Sequence, residues 1–358
     1  MTARDAALAG GALPSDLGAY FAERADAVDR GTADVRHGLR YLADHGLLAP
    51  PDLATSCVVI EEIARYCLAS AFSAWAHTMV AEYLSLSDSP ALQAEVPRLR
   101  RAERTGSTAM APAMQHLVGL ADLGVAFRHE GASLVVDGAV RWASNLFPQD
   151  VLVVVGAAGP NGSRAVLAIA SDAPGVHAGT PLELLALGAT RSSSLRFEGV
   201  VLDPSQVVSS DFEPYLRAVK PRFLLLQSSF CLGLARAALE GAEARLERSF
   251  AAFGREHLRL RSDLDVLRAR HRQLIEDGEP TPTVVAHRLD VARMAQRAVD
   301  LELRVAGGAG YQASSPTARR LREAAFLPIQ SPTEGHLRFE LERAASDEVP
   351  AIVASGTR

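Results

Sequence analysis

The stretch AGGAGYQASSPTARRLREAAFLPIQSPTEGHLR, residues 306–338, decides how the rest of the chain is read. It opens on Gly307-Gly308-Ala309-Gly310-Tyr311, continues through Pro316 and the run Arg319-Arg320-Leu321-Arg322-Glu323-Ala324, and closes past Ser331, Pro332 and Thr333. Just upstream, Val291, Met294, Ala298, Leu301 and Val305 step by three and four residues, the seam of a bundle helix. The glycines therefore follow a helix and not a strand. That removes the dinucleotide fingerprint of a βαβ unit as their explanation.

Outward from this stretch the chain has three zones. Residues 1–105 read as a helical domain: Val58, Val59, Ile60, Ile63, Ala64, Cys67, Leu68 and Ala71 recur at helical steps with Glu61, Glu62 and Arg65 between them. Residues 106–210 form a β domain of short runs separated by turns: Leu134–Val136 before Asp137-Gly138, then Val151–Val155, Ala165–Ile169 and Leu195–Val201. No crossover helices alternate with these runs, so an antiparallel sheet or barrel is expected. Helices return after Pro204 and fill residues 211–358, with Gly233, Ala237 and Gly241 forming a small-residue ridge for close helix approach.

Composition narrows the function classes. The 358 residues are 48% hydrophobic and 22% charged, the balance of an ordered globular protein. A net charge of −5 gives no reason to expect a nucleic-acid or anionic-membrane partner. Lys220 is the sole lysine among 37 basic residues, which reads as coding bias and not as a phosphate-binding signal. Cys57, Cys67 and Cys231 have unrelated spacings, so neither a disulfide framework nor a metal set is expected, and a reducing cytoplasm is the default location. Asp5 and Pro14 interrupt the N-terminus, and no run approaches the roughly 18–20 apolar residues of a spanning helix. No P-loop, His-Glu-x-x-His or Gly-x-Ser-x-Gly motif is present. The arginines of residues 245–272 are offset by acidic neighbours and read as a solvated or intersubunit helix face.

The matched positions of residues 306–338 resemble, in one ungapped frame, the C-terminal signature of the acyl-CoA dehydrogenase superfamily. Three other segments agree with that resemblance: Trp142-Ala143-Ser144-Asn145, the stretch Leu187–Ser193 with Phe197–Val200, and Gly233–Leu239. The resemblance implies an α+β, mainly α fold. It comprises an N-terminal helical domain, a middle antiparallel sheet or barrel, and a C-terminal four-helix bundle. It also implies FAD as cofactor, an acyl thioester as substrate, an electron-transfer flavoprotein as acceptor, and a homo-oligomer, dimer or tetramer. Carried over by position, Ser144 would bond flavin N5 and Trp142 would lie against the isoalloxazine. Gly307 and Gly308 would approach the phosphates, Thr333 the flavin edge, Met110 would bond flavin through its backbone, and Phe253 would belong to the segment that reaches a neighbour's cofactor.

The pattern breaks where the base belongs. The family glutamate position is Ser331, followed by Pro332 where the family has glycine; the alternative glutamate position is Phe223, beside Leu224 in place of an arginine. Serine is no base at neutral pH without an activating partner. Glu334 is read as a surface residue, and His336 and His116 as ordinary hydrogen-bonded histidines. The family's cross-subunit arginine position is Phe250, with Arg248 and Arg255 nearby. Three functions stay open: an acyl-thioester dehydrogenase with a relocated base, a monooxygenase of the same fold fed reduced flavin (or FMN) by a flavin reductase, and a non-catalytic relative.

Overall fold

The computed structural model describes residues 13–246, 252–278 and 280–355, with side chains in the last segment described as far as residue 346. Helices α1 (Leu17–Asp29), α2 (Arg36–Asp44), α3 (Leu53–Tyr66) and α4 (Leu68–Ser85), with short α5 (Pro90–Gln93) and α6 (Val96–Arg100), precede the first strand. Asp52 starts α3 by accepting the Thr55 N–H at 2.8 Å, which satisfies one of the orphan donors of the first turn. Helix α4 is buried on nearly all sides, so it reads as apolar throughout and not as amphipathic.

The strands follow as β1 (Thr105–Ala109), then helix α7 (Ala111–Leu117), β2 (Val125–Glu130), β3 (Ser133–Ala143), β4 (Val151–Ala158), β5 (Arg164–Ala170), β6 (Val176–Ala178), β7 (Ser193–Leu202) and β8 (Val207–Ser209). They form one eight-stranded sheet in the order β6-β7-β3-β2-β4-β5-β8, with β1 on β4. Most pairings are antiparallel, as expected, but β1 runs parallel to β4 over five register pairs, and β2 meets β4 in parallel at Ala126. Two details differ from the sequence reading. Asp137-Gly138 does not end a strand; β3 continues through it with a bulge, and Gly138 adopts φ +122° where a Cβ would lie 2.3 Å from the Gly124 carbonyl oxygen. Strand β8 also lies beyond Pro204, before the helices resume.

Helices α8 (Phe212–Glu243), α9 (Gly254–Asp277), α10 (Thr281–Gly310), α11 (Pro316–Phe326) and α12 (Glu334–Ser355) complete the chain. Helix α8 is long and apolar enough to cross a membrane, which the sequence reading did not anticipate; 89% of that window is buried inside the protein, so it is the core helix on which α3, α4 and α10 pack. The small-residue ridge does what its spacing predicts. A Cβ at Gly233 would lie 2.2 Å from the Glu61 carbonyl oxygen of α3.

The charged run of α11 is a clamp between the two helical ends of the chain. Arg319 donates to the Tyr66 carbonyl at 2.7 Å, Glu323 accepts the Leu68 N–H at 3.2 Å, and Arg322 reaches buried Asp29 at 2.7 Å. Arg320 pairs with Glu302, which is fully buried and also accepts from Thr317 at 2.7 Å. A buried carboxylate with several charge-assisted donors is tolerated because its lone pairs are filled. The stretch that decides the fold by its sequence also joins it.

Candidate active site

The end of β3 carries Trp142 on the surface, 55% exposed, an uncommon setting for so large an apolar ring. The next residues turn sharply. Asn145 is fully buried in the left-handed region at φ 61°, and its amide is consumed internally. Its Oδ1 accepts from Ser73 Oγ at 2.7 Å, and its Nδ2 donates to the carbonyls of Ser73 at 3.0 Å and Gly106 at 3.1 Å. The Ser144 carbonyl accepts from Ser107 Oγ at 2.6 Å, which ties the turn to β1; Met110 directly follows that strand and is fully buried.

Ser144 Oγ lies 2.8 Å from Ser192 Oγ, which lies 2.9 Å from Thr190 Oγ1; that hydroxyl donates to the Leu187 carbonyl at 2.8 Å. Leu187 and Arg191 both adopt positive φ, at 62° and 45°. Non-glycine residues in that region cost energy that the surroundings must supply. Here the surroundings are Asp29, which accepts the Leu187 N–H at 3.0 Å while paired to Arg322. Asp29 thus couples the α11 clamp to the loop facing Ser144. Sequence reasoning missed Asp29 and Asn145's structural role, because the partners lie far away in the chain.

The glycines at the end of α10 fit a close ligand approach. Gly307 has φ 57° and ψ −146°, a conformation essentially closed to other residues, and a Cβ at Gly307 or Gly308 would meet nothing within 4 Å. Beside them Tyr311 is 78% exposed. Phe253 caps α9 and packs under the Arg304 guanidinium, 5.3 Å from its ring centroid. Arg255 is exposed, whereas Arg248 and Phe250 lie outside the described residues. Ser144, the exposed Trp142 face and the open glycine backbone suit a flat, phosphate-bearing aromatic cofactor.

Ser331 sits in a different environment from the one a serine at a vacated base position suggests. The Ser331–Pro332 peptide is cis, and the Ser331 carbonyl accepts from Gln227 Nε2 at 2.9 Å and Gln330 Nε2 at 3.2 Å. Both amides turn their oxygens to Arg288, at 3.1 and 2.8 Å, and Arg288 also donates to the Leu327 carbonyl at 3.4 Å. Arg288 is buried and its bonds run to neutral oxygens. Ser331 Oγ is buried with no hydrogen-bond partner. Thr333, expected at the flavin edge, caps α12 by accepting the His336 N–H at 3.2 Å.

The other base candidates separate cleanly. Phe223 is buried edge-on to Trp75, and Leu224 is fully buried; neither offers a polar atom. Glu334 is held by Arg293 at 3.2 Å and by Arg338, whose donors outweigh burial and keep its carboxyl below the usual range, so it is the surface residue the sequence suggested. His116 lies 3.1 Å from the Ala121 carbonyl through Nδ1. His336 departs from expectation: it is buried beside Glu340 and Lys220.

A cavity of about 490 Å³ lies elsewhere, between α1, α3, α8 and α9, lined by residues such as Cys57, Glu61, Arg65, Arg236, Arg268 and His271. None of the residues assigned to the flavin lines it. The Trp142 and Gly307 surfaces are open faces in the single chain, not walls of that cavity.

No family model matches the sequence. Solved structures do. Butyryl-CoA dehydrogenase from Megasphaera elsdenii superposes with a TM-score of 0.81 at 15% identity, over 96% of this chain and 98% of its own. The glutaryl-CoA dehydrogenase–glutaryl-CoA complex gives 0.84 at 17% identity, over 98% and 96%. The chain has the acyl-CoA dehydrogenase fold. A third structure, glutaryl-CoA dehydrogenase from Mycobacterium smegmatis in complex with FADH2, gives 0.80 at 14% identity, over 97% and 95%. Within the acyl-CoA dehydrogenase fold, the helix–sheet–helix order was legible in the sequence, and the contacts of the α11 clamp were not. The buried amides and charges around Ser331 were not, since glutamine, arginine and histidine at ordinary helix spacings carry no signal of burial.

Proposed function

We propose that this chain is a flavin-dependent oxidoreductase acting on the CH–CH bond next to an acyl thioester, with FAD as cofactor and its proton-accepting group away from Ser331 and Phe223. The observation that carries the reading is the turn from Trp142 to Asn145. It spends three buried hydrogen bonds and a left-handed residue to present one exposed aromatic face beside a serine hydroxyl. The shared fold supports the same reading. When bound, an oxidised flavin supplies the hydride acceptor. The residues here would hold and orient it: Trp142 against the ring, Ser144 Oγ toward N5, Met110 through its backbone, the Gly307–Gly308 backbone toward phosphate, and Thr333 and Phe253 at its margins. A second copy of the chain would close the open Trp142 and Gly307 faces, and an electron-transfer flavoprotein would take the electrons onward.

The second reading is a monooxygenase supplied with reduced flavin by a reductase. Ser331 and Phe223 in place of carboxylates favour it, because that chemistry needs no base at either position. One set of measurements separates them. Protein that binds FAD and is bleached anaerobically by an acyl-CoA supports dehydrogenation. Oxygen consumption that requires both a flavin reductase and substrate supports the second reading. Failure to bind any flavin refutes both and leaves a non-catalytic role. Ser144→Ala should shift the absorbance of bound flavin and slow its reduction; an unchanged spectrum and rate would remove Ser144 from N5.

A further inference from the structure

The cavity of about 490 Å³ between α1, α3, α8 and α9 is of a size that takes a small molecule, and the flavin reading makes no use of it. Its lining is of two kinds. Leu17 and Ala22 of α1, Val58 of α3 and Ile275 of α9 are apolar. Arg65, Arg236, Arg268 and Arg272 are cationic, and Glu61, Glu62 and Glu276 stand among them. A lining of both kinds suits a ligand with an apolar body and a charged end.

The sign of that charge follows from which groups the protein leaves unpaired. Glu62 has nothing to spare: Oε1 accepts from Arg65 and, at 3.4 Å, from Tyr66 Oη, while Oε2 accepts from Arg236 at 3.3 Å. Glu240 also accepts from Arg65 at 2.9 Å and Arg236 at 3.2 Å, so these two cations and two anions balance. Glu61 Oε1 accepts from Arg268 Nε at 2.8 Å. Donors are left over. Arg65 Nε is buried with no hydrogen-bond partner. Arg268 spends only Nε, and its terminal nitrogens have no partner among the described residues. Arg272 lies one turn further along α9 on the same face, exposed and with no partner among the described residues. His271 adds no charge. Ser229 Oγ donates to the Leu225 carbonyl at 3.2 Å, so His271 Nε2 donates to Ser229 at 3.0 Å and Nδ1 accepts from His287 at 3.2 Å, while burial pushes the imidazole well down. Glu276, a turn beyond Arg272, is an exposed carboxylate without a partner among the described residues, and it opposes a second negative charge.

We infer that this cavity binds a monocarboxylate with an apolar body, of the size of octanoate. Its carboxylate is taken by the unspent donors of Arg268 and Arg272, and its chain lies against Leu17, Ala22, Val58 and Ile275. A guanidinium presents its N–H groups in the fork geometry that a carboxylate matches. A phosphate monoester, with close to two negative charges, meets Glu276 instead. The ligand touches α1, α3 and α9 together, so it binds the folded chain and stabilises it. Arg268 and Arg272, two arginines of the run whose sequence reads as a solvated face, thereby gain a binding role. None of this rests on the flavin reading.

Calorimetric titration of the full-length protein with octanoate, octanol, octylamine and inorganic phosphate tests the inference. Octanoate should bind saturably, octanol at least about 10-fold more weakly, and octylamine and phosphate not at all. Arg272→Gln leaves no protein group unpaired, so it should melt like wild type and bind octanoate about 10-fold more weakly. A crystal structure with octanoate should show the carboxylate on α9 and the chain between α1 and α3. The affinity should be the same with and without added FAD, so a failure of flavin binding does not touch this result. Octanol or octylamine binding as tightly as octanoate overturns the inference, as does displacement of octanoate by phosphate. Undiminished binding in Arg272→Gln, octanoate seated on the Trp142 face, or no saturable binding overturns it equally.

Discussion

Asn145→Ala tests whether the turn beneath Trp142 is held as described. The substitution removes an acceptor for Ser73 Oγ and two donors to the carbonyls of Ser73 and Gly106, all at a position with no solvent access. At about 1 kcal/mol for each buried hydrogen bond, the loss is about 3 kcal/mol. Alanine must also adopt φ 61°, which costs it roughly 1 kcal/mol more than asparagine, a residue that visits this region readily. The total, about 4 kcal/mol, is a large share of an ordinary domain's stability. Asn145→Gly removes the same bonds without the backbone penalty, and should sit about 1 kcal/mol above Asn145→Ala. Urea unfolding with linear extrapolation measures both. A loss below about 1 kcal/mol for Asn145→Ala would show that the network does not support the turn. Equal values for alanine and glycine would show that the left-handed backbone is not why asparagine stands there.

Two further outcomes follow from the geometry. Gly307→Ala should destabilise by about 1–3 kcal/mol and weaken FAD binding, measured by thermal melting and flavin titration, because its φ and ψ are closed to a Cβ even though nothing crowds the site. Burial pushes His77 down to about 4, while its Nε2 donates to the Leu99 carbonyl and its Nδ1 accepts the Gly106 N–H. The unfolded chain binds this proton near pH 6.5 and the native one only near 4, so the unfolded state holds more protons in that window and stability falls as pH drops through it. The contribution is about 3 kcal/mol, fully present above pH 6.5 and gone below about 4; unfolding free energy measured across that range should lose this slope in His77→Gln.

Much of the architecture was legible because its signals are local. The three- and four-residue steps through Val291–Val305, the switch to β-type runs near residue 106 and the ungapped 306–338 pattern each sit in one window of sequence. Asp137-Gly138 misled because the residue pair that makes a turn also makes a bulge, and only the neighbouring strands choose between them. The candidate site is a proposal, and its members Trp142, Ser144 and Gly307 were picked out by residue type and resemblance alone. It was not legible where burial and pairing decide. Lys220 looked like a compositional accident until Glu340, 120 positions away, stood against it. Arg288 carried no sign that it would be sealed behind Gln227 and Gln330.

The contact at Gly233 has a mechanical consequence. Helices α3 and α8 touch backbone to side chain and backbone to backbone, with the Glu61 carbonyl and the Ala64 methyl filling the place of a side chain. Surfaces interlocked this closely cannot slide without collision or a void, so the joint between the first helices and the last is fused and not articulated. Whatever enters or leaves past this joint does so by movement of loops or side chains, and never by α3 and α8 swinging apart.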